Sequence, residues 1–200
     1  MGGFAWRVID NPDYGEGSTY TALFAGYGFI AIRVGDRYVK QVSVPAYKGG
    51  YVGVAYARYS SKTKLDIYLS ILSTSYNDLY KVCRIAYTSA YEEYPAIAWL
   101  NESIVTVFFY NSSDRDYYVY FTDLNCNIRK AIKVFDGNTY YKYANEVVSA
   151  SGRDTALFVY RDVGNDLDVY AAIIWGNGST SILLLSNEGG DEHLGRNAVF

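Results

Sequence analysis

Along most of this chain, apolar residues recur at alternate positions or gather in short solid runs, and clusters of Gly, Asn, Asp and Ser separate them. A period of two with that punctuation predicts β-strands throughout and almost no helix. In the first section, strands are predicted at 4–9, 19–26, 29–34 and 38–44, with Gly35-Asp36 making a tight hairpin between the last two. A short first strand near Pro45, interrupted by Gly49-Gly50, is followed by strands at 51–59, 65–72 and 79–87. The pattern then predicts strands at 96–100, 104–110, 116–123 and 128–135, and again at 146–150, 155–160, 167–175 and 181–185.

The strands repeat as groups. Pro45, Pro95 and Asn145 occupy equivalent places; Tyr59, Tyr110 and Tyr160 close an apolar run; Asp66, Asp116 and Asp168 open the next, each with a tyrosine two residues on (Tyr68, Tyr118, Tyr170). The pitch of about fifty residues lies in the range of propeller blades. The expected organisation is a single domain of four repeats, at 1–44, 45–94, 95–144 and 145–196, with 197–200 as a closing strand or the first strand of a fifth repeat.

Two all-β architectures fit such strands. In a β-sandwich one face of each sheet meets water, and apolar and polar residues should alternate. Val105-Thr106-Val107-Phe108-Phe109 and Ala171-Ala172-Ile173-Ile174-Trp175 are apolar on both faces instead. A sheet held between two neighbouring sheets requires that pattern, so a β-propeller of four-stranded antiparallel blades is preferred, with the β-sandwich as the alternative. The chain resembles the broad class of β-propeller repeat proteins over nearly its whole length. It carries neither the Asp-box of sialidases, nor the Gly-His and Trp-Asp marks of WD40 blades, nor the Gly-Gly pairs of kelch blades. A four-bladed ring of this length is similar in size to a hemopexin domain, but that family's blade helix and ring-closing disulfide have no counterpart here. The resemblance therefore implies a fold and no specific activity.

Composition narrows the function classes. Hydrophobic residues make up 50% of the chain and charged residues 20%, a globular balance, and the net charge of -3 supplies no basic face for nucleic acid. No apolar run reaches the roughly twenty residues of a membrane helix. The opening MGGFAWRVID has neither a basic segment nor a long apolar one, so no signal peptide is expected within it. Sequons at Asn101, Asn111 and Asn177 lean slightly toward an extracellular or cell-surface setting. Cys83 and Cys126 lack metal-ligand spacing; buried thiols are the expected state, and one bridge between neighbouring repeats is the alternative. With 23 tyrosines the chain is rich in a residue that favours strands and carries a polar tip on an apolar ring.

In the propeller arrangement the connections from second to third strand, and from fourth strand to the next blade, share one end. These connections carry Tyr91, Glu92, Glu93, Tyr140, Tyr141, Arg161, Asp162, Glu192 and His193, the candidate ligand-binding residues. Rings interleaved with carboxylates suit a glycan or a protein ligand, because ring faces cover apolar surface and carboxylates accept hydrogen bonds. The competing view is that these tyrosines cap the blade ends and that Glu92-Glu93 form a solvated loop. His193 is the sole histidine, which excludes a multi-histidine zinc site; no metal centre is assigned and no cofactor is expected, a calcium ion near Asp191 and Glu192 being the minor alternative. The oxygen-rich run 162–168 lacks the order of an EF-hand, so the recurring Asp66, Asp116 and Asp168 are expected to serve as hairpin residues bonded to their own backbone. No catalytic residue is assigned. The expected role is a non-catalytic binding or assembly module, with self-association through unsealed blade edges. A glycoside-active enzyme using loop carboxylates, and a structural surface or virion protein, are the alternatives.

Overall fold

A computed structural model of the chain describes residues 2–11, 16–25, 28–43, 45–61, 64–75, 78–135, 147–150, 154–162 and 167–187, with side chains described at 38–43, 45–61, 64–75, 79–135, 154 and 168–187. The described residues form strands and turns and no helix. All strand pairs are antiparallel. The first sheet contains β1 (Gly2–Asn11), β2 (Glu16–Ala25), β3 (Gly28–Val42), β5 (Tyr51–Ser61), β6 (Lys64–Ser73) and β7 (Asp78–Ala86) in that spatial order, with β4 (Ala46–Lys48) beside β5. Four strands in chain order make the second sheet: β8 (Glu92–Trp99), β9 (Ile104–Asn111), β10 (Asp116–Asp123) and β11 (Ile128–Lys133). The third is built the same way from β12 (Val147–Ala150), β13 (Asp154–Asp162), β14 (Leu167–Trp175) and β15 (Thr180–Ser186).

One expected boundary moves. Gly35-Asp36 does not turn the chain back, and β3 runs through it as one strand. Its first part pairs with β2 and its last part pairs with β5, Val39 facing Arg58 and Val42 facing Tyr56. The register against β2 jumps between Thr19↔Gly35 and Gly17↔Val39, so the extra residues are absorbed as a bulge. The segment expected to finish the first repeat thus lies, with β4, in the place of a first strand for the second. In the second sheet all four predicted strands are present; β8 begins at Glu92, upstream of the predicted start, and β11 ends at Lys133, two residues short of the predicted end. The closing strand proposed at 197–200 lies outside the described residues.

Burial explains the solid apolar runs. On β9, Val105, Val107 and Phe109 pack with Ala55, Ala57, Ile67, Leu69, Ile71 and Ile85 of the first sheet. From the opposite face of β9, Phe108 and Tyr110 join Tyr117, Val119 and Phe121 of β10 and meet Ala172 and Ile174 of the third sheet. Strands β8 to β10 of the second sheet are therefore buried on both faces, while β11 is largely exposed. Close approach is visible at Gly53, where a Cβ would come within 2.5 Å of Ile97 Cδ1. Beside it, Trp99 donates from Nε1 to the Ala46 carbonyl at 2.9 Å, pinning the edge of β8 to β4.

Covalent and polar ties hold the same interfaces. Cys83 on β7 and Cys126 in the β10–β11 turn form a disulfide, with Cα atoms 5.3 Å apart, so the expected free thiols are corrected to a bridge between the first and second sheets. Position decides this: Cys83 is 1% exposed and points toward the second sheet, and the turn that presents Cys126 is organised by Asp123. Between the second and third sheets, Lys130 Nζ donates to the Asn177 carbonyl and lies over Gly178. Gly178 has φ +84°, a conformation that side chains disfavour, so the turn needs glycine for two reasons.

Two outcomes follow for stability. Replacing both Cys83 and Cys126 by serine removes a 43-residue cross-link and should lower unfolding free energy by about 4 kcal/mol on the chain-entropy account, read by denaturant titration. Gly53→Val should cost about 1–3 kcal/mol by overpacking against Ile97, with a matching fall in Tm.

Candidate functional site

The strand ends are separated cleanly by the fold. Ile104 faces Asp123 across β9 and β10, while Asn111 faces Asp116 at the other extreme. The β8–β9 and β10–β11 turns therefore share one end of the second sheet, and the β9–β10 turn lies at the opposite end. There it meets the β7–β8 connection: Tyr91 N donates to Ser112 Oγ at 3.1 Å and Ser112 N returns a bond to the Tyr91 carbonyl at 3.0 Å.

Three consecutive candidate residues, Tyr91, Glu92 and Glu93, sit at this end, and none is part of a solvated loop. Glu92 is fully buried. Its Oε1 accepts from Thr88 N at 2.9 Å and from the Thr88 hydroxyl, while Oε2 has no hydrogen-bond partner. Burial pushes the Glu92 carboxyl above its ordinary value; the Thr88 donors oppose this, Asp66 adds to it and Lys64 resists it. Glu93 is paired with Lys40 Nζ at 2.7 Å. Burial pulls Lys40 down, but the bond and charge of Glu93 outweigh it and hold the ammonium above its usual range. The Lys40 amine also lies 6.0 Å from the centre of the Tyr91 ring. Tyr94 follows in a bulge of β8 with φ 53°, and its N–H donates to Gln41 Oε1 at 2.6 Å. The segment 91–94 is thus clipped to β3 on one side and to the β9–β10 turn on the other.

Beside Glu92 lies a second cluster. Asp66, fully buried, accepts from Arg84 Nε at 3.0 Å and has Lys64 Nζ 3.5 Å from its other oxygen. Arg84 lies 4.6 Å from the centre of the Tyr87 ring, which is 60% exposed. Tyr120, raised by its burial and by Glu92 and Tyr87, stands on the second-sheet side. Together, Tyr87, Arg84, Lys64, Lys40 and Tyr91 make a rim of rings and cations over two buried carboxylates.

The recurring aspartates are explained by the same geometry. Tyr68 faces Arg84 across β6 and β7, and Tyr118 faces Lys133 across β10 and β11. The cation opposite each tyrosine neutralises the buried aspartate two residues earlier: Arg84 does so for Asp66, and Lys133 for Asp116 at 3.7 Å. Asp116 also accepts from its own neighbour Tyr117 N at 2.8 Å and from Phe135 N at 3.1 Å, as a hairpin aspartate would. In the third sheet Leu184 stands opposite Tyr170, so Asp168 has no cation from that position and meets the Tyr170 hydroxyl at 3.5 Å. Sequence reasoning missed these pairs. Their signal was a basic residue at matching places in two fourth strands.

Arg161 and Asp162 end β13, opposite Asp168 and Leu167. Their side chains, and Tyr140, Tyr141, Glu192 and His193, lie outside what is described, as does the Asp191 region considered for calcium. Among the described residues, no group of three or more His, Cys, Asp or Glu could hold a metal ion. No described helix is long and apolar enough to cross a membrane, a statement that does not extend to strands. No protein-family model matches the chain, and a search of curated proteins returns no match.

Two carboxylates should respond to pH with opposite sign. Glu92 is raised, so the folded state binds its proton more tightly, and its contribution to stability falls as pH climbs from about 4.5 through the folded value. Glu92→Gln should therefore be at least as stable as the parent at pH 7 and lose that dependence. Asp123 is lowered to about 2, chiefly by the Asn127 side chain, with Arg129 and two backbone donors assisting. Its contribution is present above 3.8 and fades as pH falls toward 2, a loss that Asp123→Asn should abolish in acid unfolding curves.

Proposed function

We propose that the chain is a propeller-type stack of antiparallel sheets that serves as a non-catalytic binding module, with its ligand face at the end bearing Tyr87 and Tyr91. The observation that carries this reading is the rim of exposed Tyr87 and Arg84 and half-buried Lys40 and Tyr91 beside carboxylates that are themselves closed to solvent. Ring faces flanked by fixed donors suit a glycan, whose apolar sugar face covers the ring while its hydroxyls meet the cations. A glycoside hydrolase needs two carboxyl groups across an open cleft, one to give a proton and one to attack or activate water. Glu92 is sealed and Glu93 is held by Lys40, which favours binding over hydrolysis. The Cys83–Cys126 bridge supports a protein that matures in an oxidising setting, in line with an extracellular or surface location.

A second reading, structural assembly, rests on β15. Ile182, Leu183, Leu184 and Leu185 are each 40–50% exposed on β15, the edge of the third sheet among the described residues, and no charge interrupts Thr180–Ser186. The corresponding strands β7 and β11 carry Lys81 and Arg84, and Arg129, Lys130 and Lys133. Charged edges resist pairing, and an uncharged apolar edge invites it.

The two readings separate by experiment. On a glycan array, Tyr87→Ala and Tyr91→Ala should each weaken a detected ligand at least about tenfold, in keeping with the ~0.5–1.5 kcal/mol of an aromatic contact plus its area. Binding that is indifferent to both substitutions removes the rim from the site. In light scattering across concentrations, Leu183→Lys with Leu185→Lys should return any oligomer to monomer; a parent that stays monomeric rules out assembly through β15.

A further inference from the structure

Three sequons stand in this chain, and the fold treats them differently. Asn101 and Asn177 are exposed, in the β8–β9 and β14–β15 turns. In both, the asparagine Oδ1 accepts from the serine two residues on, through backbone and hydroxyl alike: Ser103 at 2.9 and 3.0 Å, Ser179 at 2.8 and 2.7 Å. Each Oδ1 is thereby engaged, and neither Nδ2 donates a hydrogen bond among the described residues. Asn111 is different. It is only 7% exposed, and its Oδ1 accepts from the backbone of Ser113 and Asp114 with no bond from the Ser113 hydroxyl.

The two exposed turns also share an end. Ile104 faces Asp123, which places the Asn101 turn beside the β10–β11 turn, and Lys130, just past that turn, bonds to the Asn177 carbonyl. Asn111 belongs to the opposite end, with Asp116 across from it and Tyr91 bound to the adjacent Ser112. The disulfide between Cys83 and Cys126 independently indicates an oxidising compartment, where sequons of this kind meet their transferase.

We propose that Asn101 and Asn177 are acceptors for asparagine-linked glycans, and that Asn111 is not. In the transfer, the asparagine Nδ2 attacks the anomeric carbon of a lipid-linked oligosaccharide. A carbon–nitrogen bond forms, the carbon–oxygen bond to the lipid phosphate breaks, the lipid phosphate departs, and an amide proton passes to a base of the transferase. Both glycans then cover the end remote from Tyr87 and Tyr91, leaving that rim uncovered. In the folded protein Asn111 is buried at the end of β9 with its Oδ1 held by the turn that follows, which leaves no room for a glycan on it.

The test uses the full chain, secreted through an added signal peptide from a cell that carries asparagine-linked glycosylation. Folded monomer is treated with an amidase that releases such glycans and leaves aspartate behind, and peptide mapping locates the mass shift. Conversion at Asn101 and Asn177 with Asn111 intact is the expected result. Ser103→Ala and Ser179→Ala should each abolish conversion at their own asparagine while leaving the other unchanged. Conversion at Asn111, or its absence at either Asn101 or Asn177, overturns the proposal.

Discussion

The described part of this molecule depends on one constraint: a sheet that is apolar on both faces must have a neighbour on each side. Val105, Val107 and Phe109 turn to the first sheet, and Phe108 and Tyr110 turn toward the third. Leaving either set in water would forfeit about 25 cal/mol for each Å2 of apolar surface exposed. The remaining inter-sheet features serve that stacking. Gly53 lets Ile97 approach, Trp99 ties β8 to β4, Cys83 and Cys126 make one interface covalent, and Lys130 closes over Gly178 at the other.

Stacking of this kind leaves chemistry to the strand ends, and there the protein buries charge. Asp66, Asp116 and Glu92 are all fully enclosed. A carboxylate taken out of water is costly unless a cation or several donors replace the lost hydration. Arg84 on β7 and Lys133 on β11 provide the cation, and Asp116 also accepts from two backbone donors. Glu92 lacks a cation in hydrogen-bonding contact and keeps one oxygen without a partner, which explains why its proton is held tightly. These buried groups position the rim above them. Arg84 is the link, since one guanidinium both neutralises Asp66 and lies against Tyr87.

The outer strands divide the surface into unlike parts. β7 and β11 mix apolar residues with lysine and arginine, whereas β15 presents four apolar side chains in succession without a charge. A rim of tyrosines and cations at one end, two sequon-bearing turns at the other and an uncharged apolar edge strand at the side are chemically unlike. Each can be disabled by substitutions that leave the core untouched.

From sequence alone, the period of two determined that the chain is all-β, and the run at 105–109, apolar on both faces, that the sheet containing it is packed between two others. Recurring Asp-x-Tyr marked where each third strand begins. Those are local properties, legible because side-chain alternation and turn chemistry act over a few residues. What required the tertiary structure were the long-range choices. Gly35-Asp36 has the composition of a hairpin, yet β3 runs straight on because its far half pairs with β5. Cys83 and Cys126 lack any spacing that announces a bridge, and only the juxtaposition of β7 with the β10–β11 turn makes one. Glu92-Glu93 has the composition of a solvated loop, but the packing of β8 against the first sheet seals one carboxylate and hands the other to Lys40. Whether a polar residue meets water or a partner is decided by which strand arrives beside it, and no local pattern encodes that.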